Sequence, residues 1–200
     1  MTLVTQAAIF AANAHDGATR KGSQTPYIVH PMEAAAIAAT LTDDPQVVAA
    51  AMLHDVMEDC GVTFESLSAH FGERVAQLVR DESQSEGPDC STPWGLRKRE
   101  AVRRLSRGSR EAKIICLADK LSNMRAICRD VEREGDAVFL RFHQHDKRQH
   151  AWYYRSCAAL MEGELGQTMA FRELSQLIAR VFGGVPSVEP EDEEVCAHAI

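Results

Sequence analysis

The sequence is poor in the patterns that build strands, membranes and disulfide frameworks. No apolar run approaches the ~18 residues of a membrane span, so no transmembrane segment is expected. The opening Met-Thr-Leu-Val-Thr-Gln lacks a basic stretch leading into an apolar one, so no signal peptide is expected either. The six cysteines are scattered, with no Cys-x-x-Cys pair, and several sit in apolar helical patterns. That usage fits reduced thiols and a cytoplasmic protein better than disulfides or a zinc ribbon. Positive charge is in deficit: a net charge of -7 argues against nucleic acid as a partner. It leaves room for a small phosphorylated ligand at a locally basic site. Alternating apolar and polar positions are nearly absent, so strands are not expected.

What remains is helical. With 45% apolar residues in a 200-residue chain there is ample material for one core. Glycine and proline punctuate stretches of 3.6-residue periodicity, which predicts an all-α domain over residues 1–182. An acidic tail, 183–200, containing Glu189-Pro-Glu-Asp-Glu-Glu194, reads as disordered. Helices are expected over 5–14, from His30-Pro31 to 41, after the Asp43-Asp44-Pro45 cap, over 64–71 behind Thr63, over 73–80, 94–105, 110–130 behind Ser109, 136–162 (the longest) and 169–182. Residues 81–93, rich in Ser, Asp, Glu, Gly and Pro, read as a flexible loop and candidate lid.

The stretch Ala51-Met-Leu-His-Asp-Val-Met-Glu-Asp-Cys60 is the least ordinary in the chain. On one continuous helix, Asp55, Glu58 and Asp59 fall about 100°, 40° and 140° from His54. Three carboxylates and an imidazole on one arc repel one another unless a cation or water lies between them. The plain alternative is a solvated acidic face, but the surrounding Ala/Leu/Met/Val run is an odd setting for solvated charge. Asp119 directly follows the apolar Ile114-Ile-Cys-Leu-Ala118, and a buried Asp requires a partner. Asn123 shares its helix face. His30 stands at a helix entrance. His30, His54, Asp55 and Asp119 together form a mixed nitrogen and oxygen set that suits manganese, iron or zinc better than calcium. Glu58 and Asp59 could orient a water beside such an ion. His143, His145 and His150 read as a solvated polar face, and so does the basic run from Arg97 to Arg104.

Five segments carry a family resemblance: Ala14-His-Asp-Gly-Ala-Thr-Arg-Lys21, Pro26-Tyr-Ile-Val-His-Pro31, Leu53-His-Asp-Val-Met-Glu-Asp59, Thr63-Phe64 through His70-Phe-Gly72, and Leu117-Ala-Asp-Lys-Leu-Ser-Asn-Met-Arg125. In this order the chain resembles the HD phosphohydrolase superfamily. It is most similar to the hydrolase domain of Rel/SpoT proteins and their stand-alone small alarmone hydrolases. The resemblance implies an HD-domain helical bundle that hydrolyses the 3′-diphosphate of guanosine tetra- or pentaphosphate, giving GDP or GTP and pyrophosphate. It implies one manganese ion on His30, His54, Asp55 and Asp119, and water activation by Glu58 and Asp59. It further implies nucleotide contacts from Arg20, Lys21 and Asn123, a phosphate contact from Lys98, and a substrate-facing Tyr153.

Ala126 stands where the long enzymes often carry a threonine, and Asp81-Glu-Ser-Gln-Ser85 replaces their Asp-Gly-Val-Thr-Lys pattern. The loop between Arg20 and Tyr27 looks one residue longer than theirs. No synthetase region is expected. Two other readings stay open: an HD hydrolase of a different nucleotide (an adenosine alarmone, the 2′-phosphate of NADPH, or a nucleoside monophosphate) and a silent alarmone-binding module. A homo-oligomer also stays open, because exposure is not legible in a sequence.

Overall fold

A computed structural model describes residues 1–83 and 92–191. These form ten α-helices and one 3₁₀ segment, with no strand among the described residues. None of the described helices is long and apolar enough to cross a membrane. The organising helix is α3, Pro45–Leu53. Asp44 accepts a hydrogen bond from the Gln46 amide, and Pro45 occupies the first turn. Every residue from Val47 to Leu53 is buried. The three consecutive alanines Ala49, Ala50 and Ala51 let neighbouring helices approach from all sides. Around α3 pack α1 (Leu3–Ala14), α2 (Val29–Ala38), α6 (Glu73–Glu82) and α8 (Arg110–Glu134). The short α5 (Phe64–Phe71), capped by Thr63, leads into α6. On the far side of α8 lie α9 (Lys147–Leu165) and α10 (Met169–Phe182), and α7 (Trp94–Arg107) leans on α9.

Four expectations change. The helix after Pro45 does not run on to Gly61. It breaks at His54-Asp55, and a separate short α4 (Val56–Cys60) follows, ended by Gly61 at φ 67°. The span 136–162 is not one helix either. A 3₁₀ segment, Gly135–Arg141, and a short loop precede α9, whose amide at Arg148 is capped by Asp146. At 25 residues, α8 is the longest helix described. Third, Asp81 and Glu82 complete α6 rather than opening a loop, while residues 84–91 of the proposed lid lie outside the described residues.

Fourth, the segment after Phe182 does not leave the domain at once. Arg155 donates to the carbonyls of Phe182 at 2.7 Å and Val185 at 2.8 Å, and to the Ser187 hydroxyl. The Val188 amide donates to the Arg148 carbonyl at 3.3 Å. Arg99 of α7 donates to the carbonyl of the buried Pro190 at 2.7 Å. Residues 183–191 therefore strap α9 to α7. The remainder of the acidic tail, 192–200, lies outside the described residues.

Candidate active site

The break between α3 and α4 places His54 and Asp55. His54 ends α3 and directs Nδ1 to the Ala51 carbonyl at 2.9 Å. A carbonyl only accepts, so Nδ1 carries the proton and Nε2 of the neutral ring points away with a lone pair. His30, in the first turn of α2, faces it. Its Nδ1 lies 2.8 Å from the Ser122 hydroxyl, which itself donates to Glu33 at 2.7 Å. The Ser122 oxygen is left to accept, so His30 Nδ1 is the donor and its Nε2 is also free of hydrogen.

The two Nε2 atoms stand 3.2 Å apart. Oδ2 of Asp55 lies 3.0 Å from that of His54 and 3.4 Å from that of His30. Oδ1 of Asp119, on α8, lies 3.2 Å from His30 and 3.6 Å from His54. Four lone-pair donors thus converge with no proton assigned between them. Adjacent ligands of a six-coordinate ion with bonds of about 2.1 Å sit about 3 Å apart, so this donor set fits a divalent cation. Without one, a proton takes the place of the missing charge. Burial works against an imidazolium at His54, but Asp55, and then Asp119, outweigh it and hold its pKa well above the usual range. Burial likewise opposes ionisation of Asp55 and Asp119. His54 leads in holding the first carboxyl well below its ordinary range, and Lys120 leads for the second.

An outer layer orients these groups. Tyr27 donates to Asp55 Oδ2 at 2.7 Å. Lys120 contacts both Asp119 and Glu82. Arg125 donates to Glu33 at 2.9 Å and, through Nε and Nη2, to both oxygens of Glu173 on α10 at 2.7 Å each. A continuous relay therefore runs from α10 through Arg125, Glu33 and Ser122 to His30. Sequence reasoning missed Tyr27, Glu33, Ser122 and Lys120 as parts of the site. The only local signals were a tyrosine three residues before His30 and a lysine beside Asp119.

The cluster floors a cavity of about 380 Å³. Glu58 and Asp59, from α4, line it. Glu58 lies 3.3 Å from the Arg97 guanidinium. Asp59 has its pKa raised to about 6 by partial desolvation on the cavity wall and then by the charge of Asp55. Arg20 and Lys21 come from the loop of residues 17–26, closed by paired hydrogen bonds from Arg20 to Thr25 and from Tyr27 to Ala18. Arg20 donates to Asn123 at 2.7 Å, which ties this loop to α8. Lys98 reaches in from α7 with its ammonium 4.8 Å from the Tyr153 ring. Arg97 and Lys98 both line the cavity, so the basic run of α7 is not simply a solvated face. Nor is His150. It is buried, donates from Nε2 to the Gln144 carbonyl at 2.8 Å, and sits among Trp94, Phe139 and Phe142. Ten of the eleven residues singled out from the sequence thus line one cavity, and His54 lies behind it against His30 and Asp55.

A model described as HD domain matches residues 7–146. The chain belongs to the HD domain family. This HD domain is 38% identical, over 130 residues, to the Xenopus tropicalis protein named guanosine-3′,5′-bis(diphosphate) 3′-pyrophosphohydrolase MESH1, covering 64% of this chain and 70% of that one. It is 39% identical, over 125 residues, to a Vibrio cholerae guanosine-3′,5′-bis(diphosphate) 3′-pyrophosphohydrolase, covering 61% of this chain but only 17% of that protein's length. Among solved structures, a metazoan ortholog of SpoT described as hydrolysing ppGpp superposes with a TM-score of 0.70 at 26% identity, covering 92% of this chain and 97% of the other. That agreement includes the all-α HD architecture.

Proposed function

We propose that this HD domain is a metal-dependent 3′-pyrophosphohydrolase of guanosine tetra- and pentaphosphate, releasing GDP or GTP and pyrophosphate. One observation carries the reading: four converging metal donors share a cavity with an acid pair and with lysines suited to phosphate. His30, His54, Asp55 and Asp119 hold the cation, and manganese suits their mixed donors. When bound, such an ion supplies a Lewis acid for phosphoryl chemistry and acidifies water. The relatives' names supply the substrate.

The chain's own residues do the rest. Asp59, with a pKa near 6, accepts a proton from the attacking water and returns it near neutral pH. Glu58, steadied by Arg97, orients that water. Lys98 offsets the charge that grows on the phosphoryl and leaving oxygens. Arg20 and Asn123, already joined, present one polar surface to the base and ribose, with Lys21 beside them. Tyr153 walls the reacting end and holds Lys98 in place.

The test is incubation with manganese and guanosine tetraphosphate, products resolved by anion exchange, with a chelated sample and Asp55→Ala as controls. GDP and pyrophosphate are expected, and both controls should lose turnover almost completely, with Asp55→Ala also losing bound metal. Full metal-dependent activity in Asp55→Ala would overturn the ligand set. Release of phosphate instead of pyrophosphate from a different nucleotide would overturn the substrate.

A further inference from the structure

One wall of the cavity is a single face of α8. Asp119, Asn123, Ala126, Asp130 and Arg133 recur at i, i+4, i+7, i+11 and i+14, and all line it, as does the flanking Arg129. At 1.5 Å per residue, Arg129 lies about 15 Å and Arg133 about 21 Å along the axis from Asp119. Their side chains lean back toward the helix N-terminus, and so toward the site. Besides Arg20, Lys21 and Arg97, already described, the cavity therefore carries an inner and an outer pair of cations. The inner one, Lys98 and Lys120, lies beside the metal donors. The outer one is Arg129 and Arg133, separated from the first by the Asn123–Ala126 stretch.

The hydrolysis derived above makes no use of the outer pair, and structural pairing does not explain it. Arg133 makes only a long contact with Asp130, at 3.7 Å, and Asp130 is shared with Arg141 at 3.6 Å. Arg129 has no ion pair among the described residues, and both arginines are exposed to an incoming anion.

We infer that Arg129 and Arg133 form a subsite for the 5′-polyphosphate of a nucleoside whose 3′-diphosphate occupies the inner end. The inference rests on the proposed function for the orientation of the nucleotide. With the reacting diphosphate at Lys98 and the base against Arg20 and Asn123, the 5′ chain is the one charged arm left over. The same face of α8 continues outward to receive it. The subsite selects a nucleoside with polyphosphates at both ends over one with a free 5′-hydroxyl.

The test compares guanosine 3′,5′-bis(diphosphate) with guanosine 3′-diphosphate. Binding of each is measured calorimetrically in chelator, to the wild-type protein and to Arg129→Gln/Arg133→Gln. The wild type should bind the bis(diphosphate) about tenfold more tightly than the 3′-diphosphate, with a preference that fades as salt rises. The double variant should lose most of that factor while its affinity for guanosine 3′-diphosphate changes less than about twofold. An equal preference in both proteins, or none in the wild type, overturns the subsite. Turnover with manganese is followed separately. Its absence, with an arginine-dependent binding preference intact, would sink the hydrolase reading and leave the subsite standing.

Discussion

Lys98 is the residue whose chemistry is most open to a direct test. Burial between α7 and α9, and then the charge of Lys120, push its pKa down to about 8. The ammonium form persists below that value and is lost above it. A contact with phosphate that depends on the positive charge is therefore present at neutral pH and fails as pH rises. We expect KM for the nucleotide to climb above about pH 8, approaching tenfold per unit. Lys98→Arg should remove the climb, because a guanidinium stays charged. KM measured from pH 7 to 9.5 on both proteins decides the matter; a climb that persists in the arginine variant would assign it to another group. The position of Lys98 was legible only through the family resemblance. Its local sequence, Arg97-Lys-Arg99, looks like any solvated basic turn, and α7 must dock on α9 before Lys98 turns inward.

At the scale of elements, helix starts were the most legible feature. Asp44, Thr63 and Ser109 each cap the helix expected behind them, because a side-chain oxygen that satisfies an orphan amide is a local event. Helix interruptions were not legible. The apolar run through Leu53 gives no hint of the break at His54-Asp55, which follows from how the two side chains are held in three dimensions. The 3₁₀ segment after Gly135 was hidden for a similar reason, as no proline marks it. The loop of residues 17–26 makes its own prediction. Gly22 has φ +73°, and a Cβ there would fall 2.6 Å from Cδ of Arg141, whose guanidinium is held by Asp130 and Glu134. Gly22→Ala should therefore strain the backbone by about 1 kcal/mol and push the loop off Arg141. Since the loop carries Arg20 and Lys21, KM should rise severalfold with kcat nearly unchanged. Adding Arg141→Ala should relieve the clash but not the strain, so Tm recovers only in part. Full recovery would show that φ at residue 22 costs nothing.

For the molecule as a whole, the C-terminal strap and the relay to His30 matter most. Pro190 packs where a side chain on Gly95 would stand, with its Cβ 2.5 Å from the position of an added methyl. Gly95→Ala should dislodge the strap and free α7, and truncation after Phe182 should do the same by another route. Both should lower Tm by a few degrees and raise KM through Lys98, with helical content retained. Unchanged Tm and KM in both would show that α7 is fixed without residues 183–191. The relay has a different consequence. His30 belongs to α2 and Asp119 to α8, and His30 is reached from α10 through Arg125, Glu33 and Ser122. A cation on these ligands fastens the first third of the chain to α8 in its middle. In a calorimetric scan, the ion and the fold should therefore leave together, in one endotherm whose midpoint climbs with the logarithm of free ion concentration.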